Sequence, residues 1–162
     1  MHLSPDVLSP GTWIFWQHVV AALLCGGLIG TERKLRGKVA GIRTSILICL
    51  GTSIFVSLGA LLAPERADPT RVLGQVVTGI GFLGAGVILA RGERIQGVTT
   101  AAVIWVLAAL GALIGLSYLW AALVLTFVTL VVLLGVEKFE SHAARGENRG
   151  RRSGDHPGAN TD

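Results

Sequence analysis

Side chains able to do chemistry gather in four short segments of this 162-residue sequence. The first is Thr31-Glu32-Arg33-Lys34-Leu35-Arg36-Gly37-Lys38-Val39-Ala40-Gly41-Ile42-Arg43-Thr44, rich in cations and holding a single acid. Such a segment attracts anionic lipid, at about 1 kcal/mol per cation near the surface. The order of its charges allows two further roles. Glu32-Arg33 and Arg43-Thr44 can pair across a short turn and fix the register of the flanking helices, or they can contact a partner protein or ligand. The second segment is Asp68-Pro69-Thr70-Arg71. A carboxylate before proline suits the positive N-terminal end of a helix. The other use of Asp68 is a cation site, but Mg²⁺ takes several oxygen ligands and only Glu65 is a neighbouring acid. The third segment carries Gly74, Gln75, Thr78, Gly79, Gly81, Gly84 and Gly86. Gly79-Ile80-Gly81-Phe82-Leu83-Gly84 matches a dinucleotide-binding fingerprint literally, yet it lies in an apolar run without the preceding strand that the fingerprint needs. Two readings of these glycines remain: a face for close helix packing in lipid, or a broken helix whose freed backbone groups line a polar path. The fourth segment, Thr99-Thr100 before Ala101-Ala102, reads as a helix N-cap.

No nucleophile, base and orienting group recur at catalytic spacing, and no metal-ligand cluster stands out. The expectation is therefore no catalytic, cofactor-binding or metal-ligating residues, and no enzyme. Cys25 and Cys49 fall within apolar runs and read as small buried thiols. His18 reads as a hydrogen-bonded histidine near the membrane interface rather than a proton carrier. Apart from His18, the apolar runs hold no charged or titrating polar side chain of the Asp, Glu, Lys or Arg type, which argues against a carboxylate-driven pump.

The elements that carry these segments follow from hydropathy. The chain is 51% apolar and 15% charged, against about 25% charged in soluble domains, and its mean hydropathy is +0.64. Residues 7–31, 44–64, 72–90 and 95–136 contain no Asp, Glu, Lys or Arg. About 20 helical residues cross a hydrocarbon core of roughly 30 Å, so each run is long enough to span a membrane. A soluble enzyme is excluded, and the pI of 9.7 reflects loop charge rather than nucleic-acid binding. Helices are expected from Trp13 to Gly30, Thr44 to Leu62 and Val72 to Ala90. The stretch from Ala101 to Val136 would measure about 54 Å as one helix, so it is expected to form a hairpin turning near Gly115-Leu116-Ser117. None of the runs alternates with period two, as barrel strands do. The fold class is thus an all-α integral membrane bundle of five transmembrane helices, with Gly26/Gly30 and Gly111/Gly115 offering small-residue packing faces.

Basic residues orient the bundle. With the N-terminus external and the C-terminus cytoplasmic, 12 of the 14 Lys and Arg fall on the inner side, as the Lys/Arg bias of cytoplasmic loops requires. Trp13, Trp16, Tyr118 and Trp120 then sit as anchors at the outer interface. The expected organisation is an external tail over 1–12, the membrane domain over 13–136, and a cytoplasmic tail over 137–162 too polar to bury a core and so disordered. Residues 1–12 lack the positive region of a cleavable signal peptide.

Leu28-Ile29-Gly30-Thr31-Glu32-Arg33, Ala40-Gly41-Ile42-Arg43-Thr44, Asp68-Pro69-Thr70-Arg71, the glycine block from Gly79 to Gly86 and Gly97-Val98-Thr99-Thr100-Ala101-Ala102 occur in this order. Together they closely resemble the MgtC/SapB family of bacterial inner-membrane proteins, over roughly residues 15–136. The resemblance implies a non-enzymatic, multi-pass protein that serves adaptation to low magnesium and, in pathogens, virulence. Members are often described as magnesium transport proteins, which keeps a small Mg²⁺ or other ion transporter or channel as the alternative. The family also implies a regulator with a membrane-protein partner, the ATP synthase, besides the lipid bilayer and a homo-oligomer; nucleic acid is not expected. By motif match the resemblance points to Glu32, Arg33, Arg43, Thr44, Asp68, Arg71, the glycines Gly79, Gly81, Gly84 and Gly86, and Thr99 and Thr100; Gln75 joins them as a polar side chain at membrane depth. Two departures are visible. Longer members add an ACT-like soluble domain, whereas this sequence ends 26 residues after Val136, and Lys34 stands where the family pattern leads one to expect an acid.

Overall fold

A computed structural model describes residues 5–62, 70–89 and 96–135. Those residues are helical and contain no strand. Pro5–Leu8 forms a one-turn 3-10 helix, and its Val7 is buried, so this part of the N-terminal tail packs onto the bundle. The long helices are α1 (Trp13–Leu35), α2 (Ile42–Leu62), α3 (Thr70–Leu89) and α4 (Val98–Gly115), each long and apolar enough to cross a membrane. A fifth, α5 (Leu119–Gly135), has 17 residues within the described region, about 26 Å of rise.

Local chemistry sets the ends. The Thr12 hydroxyl accepts from Phe15 N at 3.4 Å and caps α1. At the other end Gly37 adopts φ +63°, Gly37 N donates to Lys34 O at 3.0 Å, and Lys38 N donates to Arg33 O at 3.0 Å. This is a Schellman stop with glycine in the left-handed position that other residues avoid. The same stop ends α4, with Ser117 at φ 67° and its N–H donating to Ile114 O at 2.8 Å. The hairpin therefore turns where the sequence places it. A histidine secures the turn: His18 Nδ1 lies 2.8 Å from Ile14 O, and Nε2 lies 3.1 Å from Ser117 Oγ. In the neutral ring the carbonyl fixes the proton on Nδ1, so Nε2 accepts from the serine hydroxyl.

α2 is the centre of the body, with α1 and α4 against it and α3 packed chiefly on α4. Small residues set the spacing, as the sequence suggests. A Cβ on Gly26 would lie 2.7 Å from Ile46 Cα, and one on Gly30 would lie 2.6 Å from Ile42 Cα. Further along α2, a Cβ on Gly111 would lie 2.5 Å from Cys49 O, and one on Gly115 would lie 2.6 Å from Ser53 O. With hydrophobic burial giving little drive inside lipid, such backbone approach and short polar bonds hold helices together. Cys49 Sγ donates to Leu107 O at 3.2 Å, and Ser57 Oγ donates to Gly115 O at 2.9 Å. The first half of α5 contributes buried Ala122 and Thr126, and Thr126 lies against the Cys25 thiol.

Two expectations need correction. α1 does not stop at Gly30 but runs to Leu35, because nothing breaks the helix before the glycine at 37. Thr99 and Thr100 do not cap α4: it starts at Val98 with Gly97 as N-cap, which puts both threonines inside the first turn.

Candidate functional site

The C-terminal turn of α1 meets the N-terminal turns of α2 and α4 at one end of the bundle. Because α1 continues past Gly30, Glu32 and Arg33 are helical and buried, at 7% and 2% exposure. Glu32 Oε1 lies 2.7 Å from Arg36 Nε, one turn on, and Oε2 lies 3.6 Å from Arg33 Nη1. The helix brings residues four apart onto one face, which makes the Glu32–Arg36 pair the short one. Arg33 Nη2 reaches across to α4 and donates to Thr100 Oγ1 at 3.4 Å. Thr100 is itself buried. Ser45, in the first turn of α2, is fully buried against Gly30. Four buried polar atoms at this end lack an aligned hydrogen-bond partner: both Glu32 carboxylate oxygens, Arg33 Nε and Ser45 Oγ. Buried polar groups are ordinarily satisfied, so their clustering marks this end as polar and incompletely paired.

Of the residues singled out by sequence, the structure brings together Glu32, Arg33 and Thr100. Arg43 and Thr44 are exposed on the first turn of α2, and Arg43 makes no ion pair among the described residues. The expected pairing of Glu32-Arg33 with Arg43-Thr44 is thus not formed, since the former face the core and the latter face away. Thr99 is exposed beside Thr100. Asp68 lies outside the described residues, as does Glu65, and Arg71 is exposed at the opposite end of α3. Arg36 and Ser45 were not singled out. The four-residue spacing of Glu32 and Arg36 was the available signal for the first, and Ser45 opens a buried series with Cys49, Thr52, Ser53 and Ser57 on α2.

The glycines of α3 are arranged otherwise than expected. α3 is one unbroken helix through Gly79, Gly81, Gly84 and Gly86, so the broken-helix reading fails. Nor do they pack among the described residues: there a Cβ on Gly74, Gly79, Gly81 or Gly86 would meet nothing within 4 Å, and Gly84 only approaches the Ala101 side chain. Phe82 stands 81% exposed among them. Between α2 and α3 runs an open, largely apolar groove of about 750 Å³, with Thr44, Gln75 and Gly79 in its walls. No group of three His, Cys, Asp or Glu able to hold a metal occurs among the described residues.

The family profile described as the MgtC family matches residues 19–142, which takes in all of this geometry. The chain belongs to the MgtC family. It is 44% identical over 122 residues to YhiD of Escherichia coli (strain K12), named there as a candidate magnesium transporter, covering 71% of this chain and 56% of that protein. It is 43% identical over 114 residues to Protein MgtC of Brucella abortus (strain 2308), covering 70% of this chain and 48% of the relative. Against Protein MgtC of Salmonella typhimurium (strain 14028s) the identity is 42% over 113 residues, with coverage of 70% and 48%. This MgtC-family chain spans about half the length of the curated relatives it matches. No solved structure matches it. Family and helices together make it a multi-pass membrane protein.

Proposed function

We propose that this MgtC-family protein is a non-enzymatic regulator in the bacterial inner membrane, acting in adaptation to low magnesium by binding another membrane protein. The observation that carries the reading is a set of glycines along α3 that no described neighbour covers. Among the described residues nothing lies within 4 Å of the positions where a side chain would begin on Gly74, Gly79, Gly81 and Gly86, and small residues are what let a second helix approach closely in lipid. The exposed Arg43 at the start of α2 adds a cationic contact on the cytoplasmic rim, given an external N-terminus and cytoplasmic C-terminus. Family resemblance supports the ATP synthase as the partner, and a role in virulence where the host is a pathogen. Capture from membranes in mild detergent recovers that partner with the wild-type chain. Gly81→Leu, whose new side chain enters open space and leaves the fold intact, weakens the capture, and so does Arg43→Ala. Recovery of this protein alone under several detergents would sink the reading.

A magnesium transporter is the second reading, favoured by the name of YhiD. Liposomes carrying the purified chain then pass Mg²⁺, and Gly81→Leu blocks the flux. Flux no greater than that of empty liposomes across several ions removes it.

A further inference from the structure

We propose that the buried polar end of the bundle binds a phosphoryl-type oxyanion, held by Arg33, Thr100 and the first-turn amides of α4. Two separate deficits point to the same missing acceptor. The first is Arg33. Its guanidinium is enclosed, yet its contacts are long, 3.6 Å to Glu32 Oε2 and 3.4 Å to Thr100 Oγ1, where charge-assisted N–H···O bonds run about 2.7–2.9 Å. Nε has no acceptor among the described residues. Glu32 gives its short contact to Arg36 instead. A guanidinium taken out of water without a close acceptor is costly, and the cost is relieved by an anion.

The second deficit is the start of α4. Its N-cap is Gly97, in the left-handed region and without a side chain to cap the turn. The free amides of such a turn, with roughly half a positive charge from the helix dipole, form a ready anion seat. Arg33 is aimed into that turn, since Nη2 bonds Thr100. Nη2 and Nε are the two donors on one edge of the guanidinium, so the unpartnered Nε shares the edge that reaches Thr100 of α4. The carboxylate of Glu32 meets the other nitrogen, Nη1, and leaves this edge open.

The donors select the class of ligand. A planar fork, a hydroxyl and backbone amides converge from different elements, which suits an anion with several oxygens pointing in different directions. Among the described residues, one carboxylate against Arg33 and Arg36 leaves one positive charge in excess. The ligand chemistry is a phosphate group, carried either by a lipid headgroup or by free phosphate, because the site lies where helices begin and end rather than at mid-membrane.

The test uses the full chain purified in a neutral detergent. Inorganic phosphate is titrated against chloride at equal ionic strength, with thermal unfolding followed by circular dichroism; phosphatidylglycerol retention is measured in parallel by native mass spectrometry. Saturable stabilisation by phosphate identifies the free anion, and retained phosphatidylglycerol without that response identifies the headgroup. In either arm Arg33→Lys and Thr100→Val weaken binding about tenfold, the value of one hydrogen bond to a charged group, whereas Lys38→Gln, an exposed cation at the same end, does not. Thr100→Val is nearly isosteric and keeps the comparison valid where Arg33→Lys folds poorly. The proposal is overturned when neither probe binds folded protein, or when Thr100→Val binds both as wild type does.

Discussion

Glu32 is the residue on which the polar end depends, because it is the only acid among the described residues close to two buried or half-buried guanidinium groups. Removing one member of a buried ion cluster leaves the other charges uncompensated, at about 3–5 kcal/mol. Glu32→Ala is therefore expected to lower unfolding stability in mild micelles by about 3 kcal/mol, while Arg43→Ala, exposed on the next helix, stays within about 0.5 kcal/mol. Equal losses in the two variants would contradict the burial argument. Glu32-Arg33 was legible as a pair of interest from sequence. Its partner was not, because reading the segment as a loop hid the helical spacing that joins Glu32 to Arg36. Thr100 illustrates the converse. Its position in the chain was plain, but shifting the helix start to Val98 turned an expected cap into a buried hydroxyl facing α1.

At the scale of elements, the sequence foretold helix packing on α1 and α4 and misplaced it on α3. Gly26, Gly30, Gly111 and Gly115 recur every four residues, and each meets α2 backbone or Cβ atoms. The glycines of α3 are equally conspicuous but meet almost nothing among the described residues, since spacing reports where small residues fall on a helix and not what covers them. The contrast makes a prediction. Gly111→Val needs the backbone of α2 to move, and overpacking of this kind costs about 1–3 kcal/mol, whereas Gly79→Val meets open space and changes stability little. Denaturant unfolding of the two variants reads the difference directly. At the end of α1, Gly37→Ala places a Cβ in the left-handed region at a cost of about 1 kcal/mol, measurable in the same assay. The hairpin between α4 and α5 was the clearest inference from length, because a 36-residue apolar helix has no membrane to match it.

For the whole molecule, hydropathy made the helical membrane fold legible almost entirely, since a span must satisfy its backbone internally and must be about as long as the bilayer is thick. Sidedness rests on the loop charges and is open to a direct measurement. Cys25 and Cys49 are fully buried, so an added cysteine supplies the reactive thiol in labelling by a membrane-impermeant maleimide. Tyr118→Cys, in the α4–α5 turn, is expected to label in intact cells, and Leu35→Cys only after permeabilisation. The reverse pattern would invert the topology and place the basic rim outside. What could not be read from sequence at this scale is which helix is least enclosed, because every long span is predominantly apolar and small and weakly polar residues occur on all four.

The packing of α2 has a mechanical corollary. α2 is held close by glycines of α1 near its start and by glycines of α4 further along. Among the four long helices, α3 is the least enclosed. When the surrounding bilayer thins or thickens, the adjustment in tilt that hydrophobic mismatch demands is expected to meet least resistance from neighbouring helices at α3.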